Sequence, residues 1–474
     1  MAIFNFYNIN IMQHFGIIGG GFSGIVLAIQ LIEQSQQSIE ISIFEEKALF
    51  CKGIAYTPYS KKHILNVPAA KMSAFPDRPN HYLDWLMEDP EYKTLPKDWV
   101  GASFTPRYLY GAYLEYLWES FNVLAETKNI KINTYFELVS KIDYKNNVAT
   151  IQTEKGNEIK VDQCIIATGN MLPSNPNVAD SNILNSTLYF QNPWQENSVK
   201  NINQDLPILI IGNGLTMVDT VIGLLENQFE NKIYTISPNG FNILPHRHNG
   251  MQYTQFIEEY REDMNLKDLV HLFRKHIKQV RSLGVSAEPI IDSFRPYTQK
   301  VWQRFSDSEK SFFMRKLRHA WGVARHRIPL HIHDKLQKLQ IDLKLKMFSG
   351  RISGLSLTHT ENAFDVKFYN KKTKKEEQIT VGRIINCTGP DSNLDYAAPH
   401  FLYDLKTQGV ITQDFLKLGI EASPISFETI NQTGAMNTNL YVIGSHLKGK
   451  LWESTAVNEL RTQAKLLAEK LLKN

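Results

Sequence analysis

The strongest pattern along the chain is a short apolar run, a glycine cluster and a longer apolar stretch at helical spacing. It occurs at residues 14–33 (HFGIIGGGFSGIVLAIQLIE) and again at 207–226 (PILIIGNGLTMVDTVIGLLE). A continuous apolar run suits a strand covered on both faces, and the 3.6-residue period after it suits a helix. Each unit leads to a further apolar stretch, IEISIFEE or KIYTIS. A second plan also occurs twice. Residues 131–169 read KINTYF, LVSKIDYKN, VATIQTEKG and EIKVDQCIIATG, and residues 342–389 read DLKLKMF, RISGLSLTH, FDVKFYNKK and EQITVGRIINCTGP. Period-two alternation between Gly and Asn turns predicts two β-meanders, each closing on a strand buried in a parallel sheet.

From about residue 253 to 339 the period is helical and the composition basic and aromatic, which predicts a helical insertion. Its charge reads either as solvated helix faces or as a surface for an acidic ligand. Near the C-terminus, LYVIGSHLKGKLWESTAVNELRTQAKLLAEKL predicts a strand, a loop and a helix from about Thr455. The expected architecture is α/β with two Rossmann-like, dinucleotide-binding domains. One comprises residues 12–205 and 380–474 and is split by the other, 206–379, which carries the insertion.

Composition narrows the class. A chain of 474 residues has room for two or three domains, and 43% hydrophobic with 21% charged residues is a globular balance. With 52 basic against 48 acidic residues, the charge of +4 is too slight to imply a nucleic-acid or membrane-surface partner. Cys51, Cys164 and Cys387 lie far apart, so neither a disulfide scaffold nor a Cys-rich metal site is expected. The first fourteen residues hold no Lys or Arg for a secretory signal, and no apolar stretch approaches the roughly 20 residues of a membrane span. The expectation is a cytoplasmic protein starting at Met1 or Met12; its oligomeric state is left open.

The first glycine cluster is Gly19-x-Gly21-x-x-Gly24, flanked by a strand and a helix. Gly19 permits the tight turn, Gly21 lets a diphosphate approach the backbone, and Gly24 lets helix and strand pack closely. Phe22 and Ser23 open the helix, whose N-terminus favours phosphate. Glu45 ends the next strand, where the fold places a carboxylate for an adenosine ribose. In the second cluster Gly212 and Gly214 occupy the first two positions, Met217 replaces the third glycine, and Leu215 and Thr216 open the helix. This predicts a nicotinamide dinucleotide. The following strand ends Thr235-Ile236-Ser237-Pro238-Asn239, with neither an acid for a 2′-OH nor an arginine for a 2′-phosphate. His246, Arg247 and His248 are candidate cations from farther along, and the choice of NADH or NADPH stays open.

Several motifs in order carry a resemblance over nearly the whole chain: Gly19 to Gly24, HILNVPAAKMSAFPD, FTPRYLYGAYL, IATGN, IGNGLTMVD, RHRIP, NCTGP and LWESTAVNELRTQA. The chain resembles the bacterial FAD/NAD(P)-binding family of YdhS-like proteins and, more widely, the two-dinucleotide-binding flavoproteins. The resemblance implies FAD at the first loop. A lone Cys51 disfavours the glutathione-reductase type, which needs two nearby cysteines, and reads as a packed thiol. NVPAAKMSAFPD is similar to the segment of class B flavin monooxygenases in which an Asn sits by the flavin. By that analogy Asn66 would hydrogen-bond the reacting oxygen; its alternative role is to cap loop backbone. The ATG motif with Thr168 and Gly169 is also similar to that group, in which NAD(P)H reduces FAD and O₂ then oxygenates a soft nucleophile. The group's central glycine, His and aromatic fingerprint is missing, and only Tyr189 to Trp194 occupies its place.

The remaining candidates follow the same frame. Gly389 lies in NCTGP. Gly444 is followed by Ser445 where relatives carry Gly-Asp, and Thr455 would start a helix aimed at the flavin ring. Arg107 would hold a phosphate or carboxylate bidentately or pair with an acid at a domain seam. His326 is a candidate acid or base, and Trp452 with Glu453 would line the substrate side or, for Trp452, fill a core. No metal is expected. The expected function is FAD-dependent NAD(P)H oxidation coupled to monooxygenation of a small amine- or sulfur-containing metabolite. Two alternatives are a flavin oxidase or dehydrogenase with a vestigial nicotinamide loop, and a non-catalytic flavoprotein binding a partner through its insertion.

Overall fold

The computed structural model describes residues 12–178, 181–247, 252–359, 362–396 and 398–473. Strand β1 (Gln13–Ile18) is buried from Phe15 onward and turns at the first glycine cluster into the helix Phe22–Gln34. Next comes β2 (Ile39–Phe44), a long loop, the helix Arg107–Thr127 and β3 (Lys131–Tyr135). β4 (Val139–Lys145), β5 (Val148–Thr153) and β6 (Glu158–Val161) form a separate antiparallel meander, after which β7 (Gln163–Ile166) returns beside β1. Ile17 pairs with Ile43 on one side and Ile165 on the other, so the apolar strand is central and covered on both faces.

The second glycine unit repeats this order. β8 (Tyr189–Phe190) precedes β9 (Ile208–Ile211), the helix Leu215–Glu226 and β10 (Ile233–Ser237). After the insertion come the helix Leu330–Ile341, β11 (Leu345–Leu357), β12 (Phe364–Asn370), β13 (Lys375–Val381) and β14 (Arg383–Asn386). The chain then closes with β15 (Glu428–Ile430), β16 (Met436–Val442) and the helix Val457–Leu471. The two main sheets have the orders β15-β16-β7-β1-β2-β3 and β13-β12-β11-β10-β9-β14-β8. β14 stands to β9 as β7 stands to β1, so the doubled plan expected from the sequence is present in both sheets.

The structure corrects four expectations. DLKLKMF and RISGLSLTH are one strand, β11, whose first half pairs with β10 in parallel and whose second half pairs with β12 in antiparallel. A bulge between Ile352 and Gly354 lets it bend from one partner to the other. Strands β8 and β14 belong to the second sheet, because Ile384 pairs with Leu209 and with Tyr189. The expected boundaries at 205/206 and 379/380 therefore cut off strands from the sheet to which their apolar runs pair. The helix Leu330–Ile341 buries Ile332, Leu336 and Leu339 against Ile208, Ile210 and Val218, so it crosses over within the second unit and the insertion ends near His326. The C-terminal helix starts at Val457; Thr455 lies in the loop before it.

The insertion has its own core of Phe256, Leu269, Ile290, Phe294 and Val301. Helix starts are set by local chemistry: Asn265 accepts from the Asp268 N–H, and Ser306 with Glu309 forms a capping box. The bundle docks on the loop that follows β16. Trp302 stacks on Trp452 with ring centroids 4.9 Å apart, and its Nε1–H donates to the Gly449 carbonyl at 2.8 Å. Among the described residues no helix is long and apolar enough to cross a membrane, and no cluster of His, Cys, Asp and Glu could hold a metal.

Candidate active site between the glycine loops

Both glycine turns are built alike. Gly19 has φ +107° and Gly212 φ +110°, and a Cβ at either would lie 2.4 Å from a carbonyl oxygen, that of Ala167 or Cys387. No L side chain fits there. A Cβ on Gly24 would stand 1.9 Å from the Gly19 oxygen, so this glycine sets the approach of helix to turn. Gly21 faces Gly53, with 3.3 Å between a virtual Cβ and the Gly53 Cα. The helices that follow start at Gly21 and Gly214 with no side chain capping their N–H groups. Each such terminus favours an anion by roughly 0.3–1 kcal/mol and presents unpaired donors to it. The turns thus suit a diphosphate by geometry and by charge.

Glu45 lies at the end of β2 against the first turn. Its carboxylate accepts from the Gly20 N–H at 3.1 Å and the Glu46 N–H at 2.9 Å, and burial raises its pKa. On the opposite side, Gly444 (φ +86°) faces Ser23: a Cβ there would meet Ser23 Oγ at 3.1 Å. Gly444 is fixed by Gln463, which accepts from its N–H at 3.0 Å, and by Ser454, which donates to its carbonyl at 2.6 Å. Ser445 donates to the Gly169 carbonyl, and Thr168 shares a 2.8 Å hydrogen bond with His446. His446 is fully enclosed, and burial pushes its pKa down to about 4, so the ring is neutral. Gly169 (φ +74°) and Gly389 (φ +90°), the glycines after β7 and β14, have open space where a Cβ would stand.

A cavity of about 310 Å³ lies where the two units and the insertion meet. Asn66 and Lys71 reach it from the long loop of the first unit, Arg107 from the start of the helix that follows, and Leu215, Thr216 and Gly389 from the second. Arg295, Arg325 and His326 come from the insertion, and Thr455 to Asn458 from the start of the C-terminal helix. The Asn66 side chain makes no hydrogen bond among the described residues, whereas its backbone carbonyl pairs with the His246 ring at 2.9 Å. Arg107 forms an ion pair with Asp219 of the second unit at 3.1 Å, which is the seam pairing named as one of its alternatives, and it also faces the cavity. His326 is open to the cavity but ringed by protein; desolvation and the neighbouring Arg325 charge lower its pKa to about 4. It is a neutral imidazole able to accept a proton.

Trp452 is elsewhere. It is buried between Trp302, Phe313 and Lys448 and does not border the cavity, because a large apolar ring gains more from the aromatic cluster. Glu453, beside it, binds Trp321 Nε1 at 2.7 Å and Arg325 Nε at 3.0 Å, away from the lining. Cys51 is buried, with burial raising its thiol to about 12, as a packed side chain has it. Arg247 pairs with Glu288 at 3.9 Å and donates to the Gly284 carbonyl at 3.3 Å, while His248 lies outside the described residues. Arg325 lies in RHRIP and Asn458 in LWESTAVNELRTQA, but neither these two nor Arg295 and His446 were singled out as site residues. Among the described residues Asn458 Oδ1 has no partner; it is buried on the wall as an acceptor for a ligand N–H.

Residues 16–171 match the protein family described as FAD-NAD(P)-binding. No curated protein sequence matches the chain. Solved structures match it at full length. The ornithine N-hydroxylase of Kutzneria sp. 744, solved with FADred, NADP+ and L-orn, has a TM-score of 0.67 at 13% identity, covering 98% of this chain and 99% of that one. The ornithine hydroxylase of Pseudomonas aeruginosa gives 0.66 at 13% identity with the same coverage. The L-lysine 6-monooxygenase of Pseudomonas syringae gives 0.66 at 14% identity, covering 97% and 99%. The fold is that of the two-dinucleotide-binding flavoenzymes.

Proposed function

We propose that the chain is an FAD-dependent oxidoreductase that draws hydride from NAD(P)H and uses O₂ to oxygenate a small amine- or sulfur-containing metabolite. The observation that carries this reading is a cavity bordered by the ends of both dinucleotide units, with Thr455–Asn458 on one wall and Leu215, Thr216 and Gly389 on another. A flavin and a nicotinamide anchored at the two glycine loops would converge there, at the carboxyl ends of the strands where such sheets place their ligands. The similarity to amine hydroxylases supports the amine as substrate class.

The FAD-side residues would be Gly19 to Gly24 with Phe22 and Ser23 at the diphosphate, Glu45 at the ribose, and Thr168, Gly169, Gly444 and Ser445 along the far edge. Gly212, Gly214, Leu215, Thr216 and Gly389 would hold the nicotinamide nucleotide. Once bound, FAD supplies hydride acceptance and oxygen activation; this chain's residues supply position, donors and exclusion of water. Asn66, with a side-chain amide that no described residue engages, would donate to a developing oxyanion. Neutral His326 would accept a hydrogen bond from the substrate's uncharged amine and orient it. The C-terminal helix turns its uncapped start toward the cavity, which favours a reduced, anionic ring by roughly 0.3–1 kcal/mol.

The test is NAD(P)H consumption and oxygen uptake, measured together over a panel of small amines and thioethers. The proposal expects one class of compound to raise both rates with stoichiometric oxygenated product. Oxidation of substrate without NAD(P)H would instead establish an oxidase.

A further inference from the structure

The cavity wall has a one-sided charge. Among the described residues it holds Lys71, Arg107, Arg295 and Arg325 and no Asp or Glu. Three of these cations have carboxylates, but each stands behind its arginine and off the wall: Asp219 behind Arg107, Glu459 behind Arg295, Glu453 behind Arg325. Such an arrangement orients guanidinium groups without filling their outward edges.

Arg325 shows this most clearly. It is only 8% exposed, so it has surrendered most of its hydration. Its Nε is taken by Glu453 Oε2 at 3.0 Å, and among the described residues its two terminal nitrogens have no partner. Glu453 is itself held at φ +66°, a left-handed conformation that costs a non-glycine residue energy, with its second oxygen accepting from Trp321 at 2.7 Å. A strained, doubly tethered carboxylate that grips one edge of a buried guanidinium leaves the other edge set for a planar oxyanion. The uncapped start of the helix Val457–Leu471 adds its positive end to the same wall.

We infer that the substrate carries a carboxylate, which binds the free edge of Arg325. This rests on the redox reading of the cavity and deepens it: the reacting amine or sulfur belongs to a small amino-acid-like anion, because a simple diamine would leave the free edge of Arg325 without a partner.

The experiment uses the purified holoprotein and the variants Arg325→Lys and Arg325→Gln, with succinate, uncharged succinamide and 1,4-diaminobutane as probes at fixed ionic strength. Binding is read from the flavin difference spectrum and from the thermal midpoint, so that it does not depend on turnover. Succinate is expected to bind saturably, and the other two probes are not. Affinity for succinate should fall at least tenfold in Arg325→Gln and by an intermediate factor in Arg325→Lys, which keeps charge and packing but loses the fork. Tighter binding of the diamine than of succinate, or unchanged succinate binding in both variants, overturns the inference. A second source of oxyanion is the nicotinamide nucleotide. If the lysine variant raises the KM for NADPH tenfold while succinate binding holds, Arg325 is a phosphate ligand and the inference falls. If succinate binds through Arg325 but NAD(P)H never reduces the flavin, the redox reading fails alone.

Discussion

Gly24 carries the tightest steric constraint at the first loop, since the atom a Cβ would strike is backbone and cannot rotate away. Gly24→Ala is expected to lose about 1–3 kcal/mol of stability in urea unfolding and to purify without flavin colour. Gly214 is the opposite case: its φ is −86° and nothing lies within 4 Å of a virtual Cβ. Gly214→Ala should keep flavin content and unfolding midpoint while raising the KM for NAD(P)H about tenfold, because the added methyl group lies only where the nucleotide would. His446 makes a pH prediction. Its folded pKa, about 4, is below the ordinary 6.5, so between these values the unfolded chain binds more protons. Stability is therefore complete above pH 6.5 and is lost as pH falls toward 4, by on the order of 3 kcal/mol. His446→Gln should flatten that part of the urea-midpoint profile. These glycines were legible because their spacing encodes a turn. His446 and Arg325 were not, since each gains its role only from partners brought by the fold, Thr168 and Glu453, the latter 128 residues away in sequence.

At the scale of elements, both glycine turns, both meanders and the helical nature of the insertion could be read from apolar periodicity. Two features could not. A bulge joins what the alternation shows as two strands into β11, and the pairing of β14 with β9 depends on a partner far upstream, not on local pattern. The insertion's basic stretch also divides: Arg295 and Arg325 turn inward to the cavity, while Lys300 pairs with Glu262 on the surface. Its docking depends on Trp302, which is 2% exposed and bonded to Gly449. Trp302→Ala is expected to cost about 3–5 kcal/mol. Hydrogen exchange should rise together in the insertion and in residues 445–456; a rise confined to the insertion would show that the two do not support each other.

For the whole molecule, one plan is used twice, and a cavity lies where the two units and the insertion meet. The central claim is that a nicotinamide bound at the second loop reaches a flavin bound at the first. Anaerobic rapid mixing of the flavin-loaded protein with NADPH, and separately with NADH, tests it most directly. The account predicts full loss of the oxidised-flavin absorbance in a saturable phase with at least one of the two, slowed in Gly214→Ala. A flavin that stays oxidised with both nucleotides at every concentration would contradict it.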